Sequence, residues 1–124
     1  MSINILVVDD SKLLHAMIEQ TLEMADIEIA QHYKAMNGAE GLEILLSQPV
    51  DLVFSDIHMP EMDGAEMIKA MQKEKNLKNI PIVIISSEGS HKLIDELKDI
   101  GVQYFIRKPF TPEKISEVIK KLTG

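Results

Sequence analysis

Five short strand-like runs, the most apolar of them built from branched aliphatic residues and each followed by a segment with helical apolar spacing, set the narrowest bound on what this chain can fold into. The runs are Ile-Asn-Ile-Leu-Val-Val at 3–8, a more polar stretch at 28–35, Leu52-Val53-Phe54, Ile82-Val83-Ile84-Ile85 and Gln103–Ile106. The intervening segments repeat apolar residues at helical spacing, as in Leu14, Met17, Ile18 and Leu22, or Ile115, Val118, Ile119 and Leu122. Start and stop signals mark them. Ser11, Asn37 and Asp63 are placed to cap helices, the last two with Glu40 and Glu66 at the capping-box position. Gly101 suits a helix end, and Thr111-Pro112 a helix start. Strict alternation of strand and helix predicts an α/β fold: a doubly wound (βα)5 parallel five-stranded sheet with helices on both faces. The strands around residues 53 and 83 are the most apolar and belong in the centre. Those around 31 and 104 are more polar and belong at the edges, which agrees with the order 2-1-3-4-5.

Length and composition narrow the function. The 124 residues suffice for one domain, taken as 1–124, and are too few for two. Hydrophobic content is 45% and charged content 27%, ordinary for a globular protein. No apolar run approaches the ~20 residues that span a bilayer, and the N-terminus does not read as a signal peptide. The chain has no cysteine, which removes disulfides, thiolate metal sites and cysteine nucleophiles, and it fits a cytoplasmic location. A net charge of −7, no Trp, three Phe and two Tyr argue against binding nucleic acid.

In a parallel sheet all strand carboxyl ends lie on one side, and ligands collect there at the topological switch point. Here the ends are Asp9-Asp10, Asp56, Ser86 and Lys108. Strands one and three flank the switch point. Three carboxylates, a hydroxyl and an ammonium therefore converge on one crevice. Three acids in a small site repel each other unless a cation is present. Hard carboxylate oxygens suit Mg²⁺ (or Mn²⁺), which keeps several waters and leaves room for a phosphoryl oxygen. Lys108 and the Ser86 hydroxyl match the remaining oxygens of such a group. A carboxylate in that setting, Asp56, is placed to become an aspartyl phosphate.

Asp9-Asp10, Asp56 with Pro60 and Gly64 behind it, Ser86, and Lys108-Pro109-Phe110 together resemble the receiver domain of two-component response regulators, in particular single-domain CheY-like chemotaxis regulators with their flavodoxin/CheY-like fold. The match spans essentially the whole chain. The resemblance implies that Asp56 is the phosphoacceptor. It implies that Asp10, Asp56 and the backbone carbonyl of His58 hold Mg²⁺, with Asp9 helping through water. It makes Lys108 and Ser86 the phosphoryl-binding pair and Phe105 the switching aromatic, with Tyr104 pointing to the opposite face. A cis Lys108–Pro109 bond is a family expectation. His58 and Glu88, each two residues beyond a site residue, are placed to tune dephosphorylation. The implied partners are a sensor histidine kinase and a downstream target docking on the fourth helix, fifth strand and last helix, with the protein a monomer or weak phosphorylation-dependent dimer.

Blander readings stand beside these. Ser87 competes with Ser86, and counting from the apolar strand favours Ser86. His15, His32 and His91 are expected to be solvated, and the eight methionines to fill the core, a few excepted. Three functions share the crevice: a receiver that switches protein contacts, a phosphorelay or phosphate-sink intermediary, and a small phosphatase or flavin protein. The flavin option lacks a Ser/Thr/Gly-rich phosphate loop after strand one. The favoured reading is a phosphoacceptor signalling protein in chemotaxis or a related pathway, not a turnover enzyme. Ending in Lys-Lys-Leu-Thr-Gly without a linker, it reads as a complete single-domain protein, the alternative being a receiver excised from a longer regulator.

Overall fold

A computed structural model describes residues 2–25, 27–87 and 90–123. Strand and helix alternate as β1 (Ile3–Val8), α1 (Lys12–Met24), β2 (Ile29–Ala35), α2 (Gly38–Ser47), β3 (Leu52–Ser55), α3 (Gly64–Gln72), β4 (Ile82–Ser86), α4 (His91–Asp99), β5 (Tyr104–Arg107) and α5 (Pro112–Thr123). All pairings are parallel, in the order β2-β1-β3-β4-β5. The most apolar strands are thus interior and the two polar ones are edges, as the sequence predicts. β5 begins one residue later than expected and carries Arg107 into register with Ser86.

The sheet is buried on both faces, which is why β3 and β4 read as unbroken apolar runs. Ile5, Val7, Phe54, Val83 and Ile85 face α1 and α5, meeting Leu14, Ile18, Ile115 and Ile119. Leu6, Val8, Val53 and Ile84 face the other way, meeting Leu45, Met67, Ile68 and Leu97. Each such side chain, fully buried, stabilises the fold by about 1.5–3 kcal/mol relative to exposure. Met67 and Met71 are core residues as expected, while Met17 and Met24 are exposed.

The predicted caps form. Ser11 Oγ accepts the Leu14 N–H at 3.2 Å, and Asp63 and Glu66 make a full capping box. At α2, Asn37 caps Glu40 N–H, but the Glu40 carboxylate bonds the Met36 N–H at 3.1 Å rather than that of Asn37. Gly101 closes α4 at φ +106°. Its N–H bonds Lys98 O and the Val102 N–H bonds Leu97 O, which satisfies two carbonyls left over at the helix end. Among the described residues no helix is long and apolar enough to cross a membrane.

Two histidines depart from the expectation of solvation. His15 is buried on the inner face of α1, because it shares that face with Leu14, Ile18 and Leu22. His32 is half-buried beneath α1, and its Nε2 has no partner among the described residues. Burial pushes the His32 imidazole below its ordinary value, and the Lys34 ammonium adds to this. His91 is exposed, as expected.

Candidate functional site

The site is assembled from strand ends. β1 stops at Asp9, whose N–H donates to Ala35 O at 3.0 Å across the end of β2. β3 stops at Ser55, and the Asp56 N–H donates to Val8 O at 2.9 Å. These bonds place two acids side by side at the switch point. Asp10 follows on the exposed rim. The carboxylate oxygens of Asp9, Asp10 and Asp56 offer ligand atoms that all lie within 4.8 Å of one another.

Lys108 comes from the far side, beyond β5. Its N–H donates to Ser86 O at 3.0 Å, tying the ends of β4 and β5 together, and the Lys108–Pro109 peptide is cis. The side chain reaches over the crevice. Nζ lies 3.3 Å from Asp9 Oδ2 and 3.5 Å from Asp56 Oδ2, so one ammonium is shared by two carboxylates.

The acids are not equivalent. The Asp9 side chain is buried, and burial pushes its carboxyl above its ordinary value. The Ser11 N–H, 2.9 Å from Oδ1, and the Lys108 charge oppose this, while the Asp56 charge reinforces it. A carboxyl whose folded pKa is raised favours the folded state most below its unfolded pKa. That contribution is lost as the pH rises through the folded value. Burial and the neighbouring Asp56 charge thus both work against ionising Asp9, a cost that a bound cation would offset. Three convergent hard oxygen donors fit a divalent cation.

The other predicted residues fall around this centre. Ser86 is buried at the end of β4, and Ser87 beside it is exposed. His58 is exposed, two residues beyond Asp56. Glu88 lies outside the described residues. Phe105 pairs with Ile84 and packs on the α3–α4 side of the sheet, whereas Tyr104 packs on the α1–α5 side. Sequence reasoning missed His15. Its Nε2 bonds the Asp9 carbonyl oxygen at 2.8 Å, and its position three residues before Ile18 and two helical turns before Leu22 is the signal that could have found it.

The sequence model of the response regulator receiver domain matches residues 5–120. The chain belongs to the response regulator receiver domain family. This receiver domain is 32% identical over 124 residues to a chemotaxis protein CheY homolog of Campylobacter jejuni, covering 97% of this chain and 92% of that one. It is also 32% identical over 120 residues to the two-component response regulator ORR5 of Oryza sativa, covering 96% and 87%. The solved structure of the Vibrio cholerae chemotaxis protein CheY4 superposes with a TM-score of 0.88 at 30% identity, covering 98% of this chain and 99% of that one. The CheY-like receiver fold and family are therefore those expected from the strand-end residues.

Proposed function

We propose that this receiver domain takes a phosphoryl group from a phosphohistidine of a sensor kinase onto Asp56 and thereby switches its contacts with a second protein. The observation that carries the reading is the Lys108 ammonium shared between Asp9 and Asp56 beside a third carboxylate. An Asp56 carboxylate oxygen attacks phosphorus, the phosphorus–nitrogen bond to the donor imidazole breaks, and the imidazole leaves with the bonding pair. Lys108 then pairs with a phosphoryl oxygen in place of a carboxylate, and the Ser86 hydroxyl donates to another. Asp9, Asp10, Asp56 and the His58 carbonyl would hold Mg²⁺ (or Mn²⁺), which supplies fixed positive charge to the phosphoryl oxygens when bound. His58 and Glu88, each two residues beyond a site residue in the sequence, would set the lifetime of the product by blocking or orienting the attacking water. Relatives named as chemotaxis proteins support a role in chemotaxis or a related pathway, and the lack of cysteine in this chain fits a cytoplasmic location.

Incubation with acetyl phosphate and Mg²⁺ should add one phosphoryl group. Asp10→Asn should weaken Mg²⁺ binding by at least about tenfold, or ~1.4 kcal/mol, and slow labelling in step. It should also shrink the rise in Tm that Mg²⁺ confers on the wild type by binding only the folded state. A calorimetric titration in which Asp10→Asn binds Mg²⁺ as tightly as wild type refutes the coordination.

The output surface is assigned to α4, β5 and α5. Ser86 leads toward α4, so a hydroxyl drawn to phosphate moves that element first. Phe105 is only partly buried on the edge strand and can report the change. Charge divides unevenly: residues 1–87 hold 14 acids and 6 bases, whereas residues 88–124 hold 6 acids and 7 bases. The C-terminal third thus repels an acidic partner least. Phosphate biases a two-state equilibrium through contacts made only in the active form. Beryllofluoride, standing in for the phosphoryl group, should shift backbone NMR signals of residues 86–110 more than those of residues 12–48. Largest remote shifts on α1 and α2 would place the surface elsewhere.

A further inference from the structure

Behind the acid cluster lies a buried imidazole with no part in the chemistry above. His15 sits on the first full turn of α1 and is 5% exposed. Its Nε2 is 2.8 Å from the Asp9 carbonyl oxygen and 3.2 Å from the Ala35 carbonyl oxygen. A carbonyl oxygen only accepts, so Nε2 carries a hydrogen and donates to both. Nδ1 is buried and has no partner among the described residues, so the ring's hydrogen bonding is concentrated on these two carbonyls.

The first of those carbonyls belongs to the peptide that joins Asp9 to Asp10. The peptide is planar, so the torsion about the Asp9 Cα–C bond that sets the carbonyl direction also sets where the Cα of Asp10, and the carboxylate it carries, is placed. Asp9 is otherwise anchored by its N–H on Ala35 O, by its Oδ1 on the Ser11 N–H and by its Oδ2 on the Lys108 ammonium. None of these bonds sets the orientation of the carbonyl. The exposed Asp10 makes the point sharper, because the backbone is what aims its side chain at the crevice. Ala35 O receives both the Asp9 N–H and the imidazole, so His15 closes a bracket across the ends of β1 and β2.

We propose that His15 is a positioning residue for the cation site: its Nε2–H bond to the Asp9 carbonyl fixes the Asp9–Asp10 peptide and so aims the Asp10 carboxylate toward those of Asp9 and Asp56. The inference rests on the reading of the acid cluster as a divalent-cation site. Groups that orient metal ligands typically change metal affinity by about 10–100-fold when removed.

The test compares His15→Gln, His15→Asn and His15→Leu with wild type. Mg²⁺ affinity is read by calorimetric titration, the Asp10 and Ser11 amide signals by NMR of metal-free protein, and Tm in parallel. Glutamine is long enough to bring an amide N–H to the place of Nε2. Asparagine is too short, and leucine fills the space without a donor. His15→Gln should hold Mg²⁺ within about threefold of wild type, while folded His15→Asn and His15→Leu should lose about tenfold or more and shift the Asp10 amide before any metal is added. A folded leucine variant with wild-type affinity overturns the proposal. Should the asparagine and leucine variants not fold, the wild-type ring decides. Imidazole ¹⁵N signals showing a hydrogen on Nε2 bonded to a carbonyl support the role, and a bare Nε2 overturns it. A wild type that binds no Mg²⁺ refutes the cation reading itself. Wild-type binding with unaffected variants refutes His15 alone.

Discussion

Asp56→Asn protein should take up no phosphoryl group from acetyl phosphate and Mg²⁺ under conditions that label the wild type completely. The amide that replaces the carboxylate cannot act as the nucleophile, and among the described residues no neighbouring acid is placed to substitute for it. Asp9 is buried, with its oxygens turned to Ser11 and Lys108, and Asp10 lies on the rim. The loss should not come from unfolding. The Asp56 charge is one of the influences that hold the Asp9 carboxyl above its ordinary value. Removing it lessens the stability that Asp9 forfeits as the pH rises through its folded pKa. In Mg²⁺-free buffer at neutral pH the variant should therefore melt at the same temperature as wild type or higher. Mg²⁺ should raise its Tm less, since one ligand is gone. Intact-mass spectrometry and calorimetry on the same samples separate the two effects. Full labelling of the variant would remove Asp56 from its role.

What the sequence made legible follows from where information is local. Asp9, Asp10, Asp56 and Lys108 each sit where an apolar run stops, and in a parallel sheet every such stop lies on one side. Their convergence can thus be read without coordinates, and the ion pairs of Lys108 bear it out. The central strands were legible because burial on both faces demands continuous Val, Ile and Leu. β5 was less so: at four residues with an intermediate, intermediate, buried, exposed pattern, its alternation is too short to fix a boundary. His15 was illegible for a different reason. Residue type alone sends a histidine to solvent, while the helical face it occupies sends it inward, and its two carbonyl partners come from strands six and twenty residues away. Glu40 shows the finer limit. Its spacing announces a capping box, but whether the carboxylate reaches Asn37 or Met36 depends on the turn before α2.

The second large effect falls on a residue that carries no chemistry. Gly64→Ala should destabilise the protein by about 2–3 kcal/mol, the upper part of the range for inserting a methyl group into a packed site, and should slow labelling of Asp56 as well. A Cβ at Gly64 would land on the carbonyl oxygen of Asp56, with Ile57 Cα only 3.1 Å away. Backbone cannot swing aside as a flexible side chain can. That carbonyl is also fixed from the other direction by the Ser55 hydroxyl at 2.7 Å, and the Gly64 N–H is bonded to Ile57 O at 2.8 Å. The α3 N-terminus is thereby pressed onto the peptide that carries the acceptor, and relieving the clash must move Asp56 relative to Asp9 and Lys108. Gly101→Ala is the control. Gly101 is also constrained, by φ +106° and by the Gln72 amide nitrogen 2.7 Å from a built Cβ, but it lies at the end of α4, and Gln72 can rotate away. It should lose stability through backbone strain of about 1 kcal/mol and keep the wild-type labelling rate. Thermal melts rank the two losses, and acetyl phosphate time courses on the folded fraction separate their causes. A Gly64→Ala protein that labels as fast as Gly101→Ala would mean that the close approach of α3 packs the fold without aiming the acceptor.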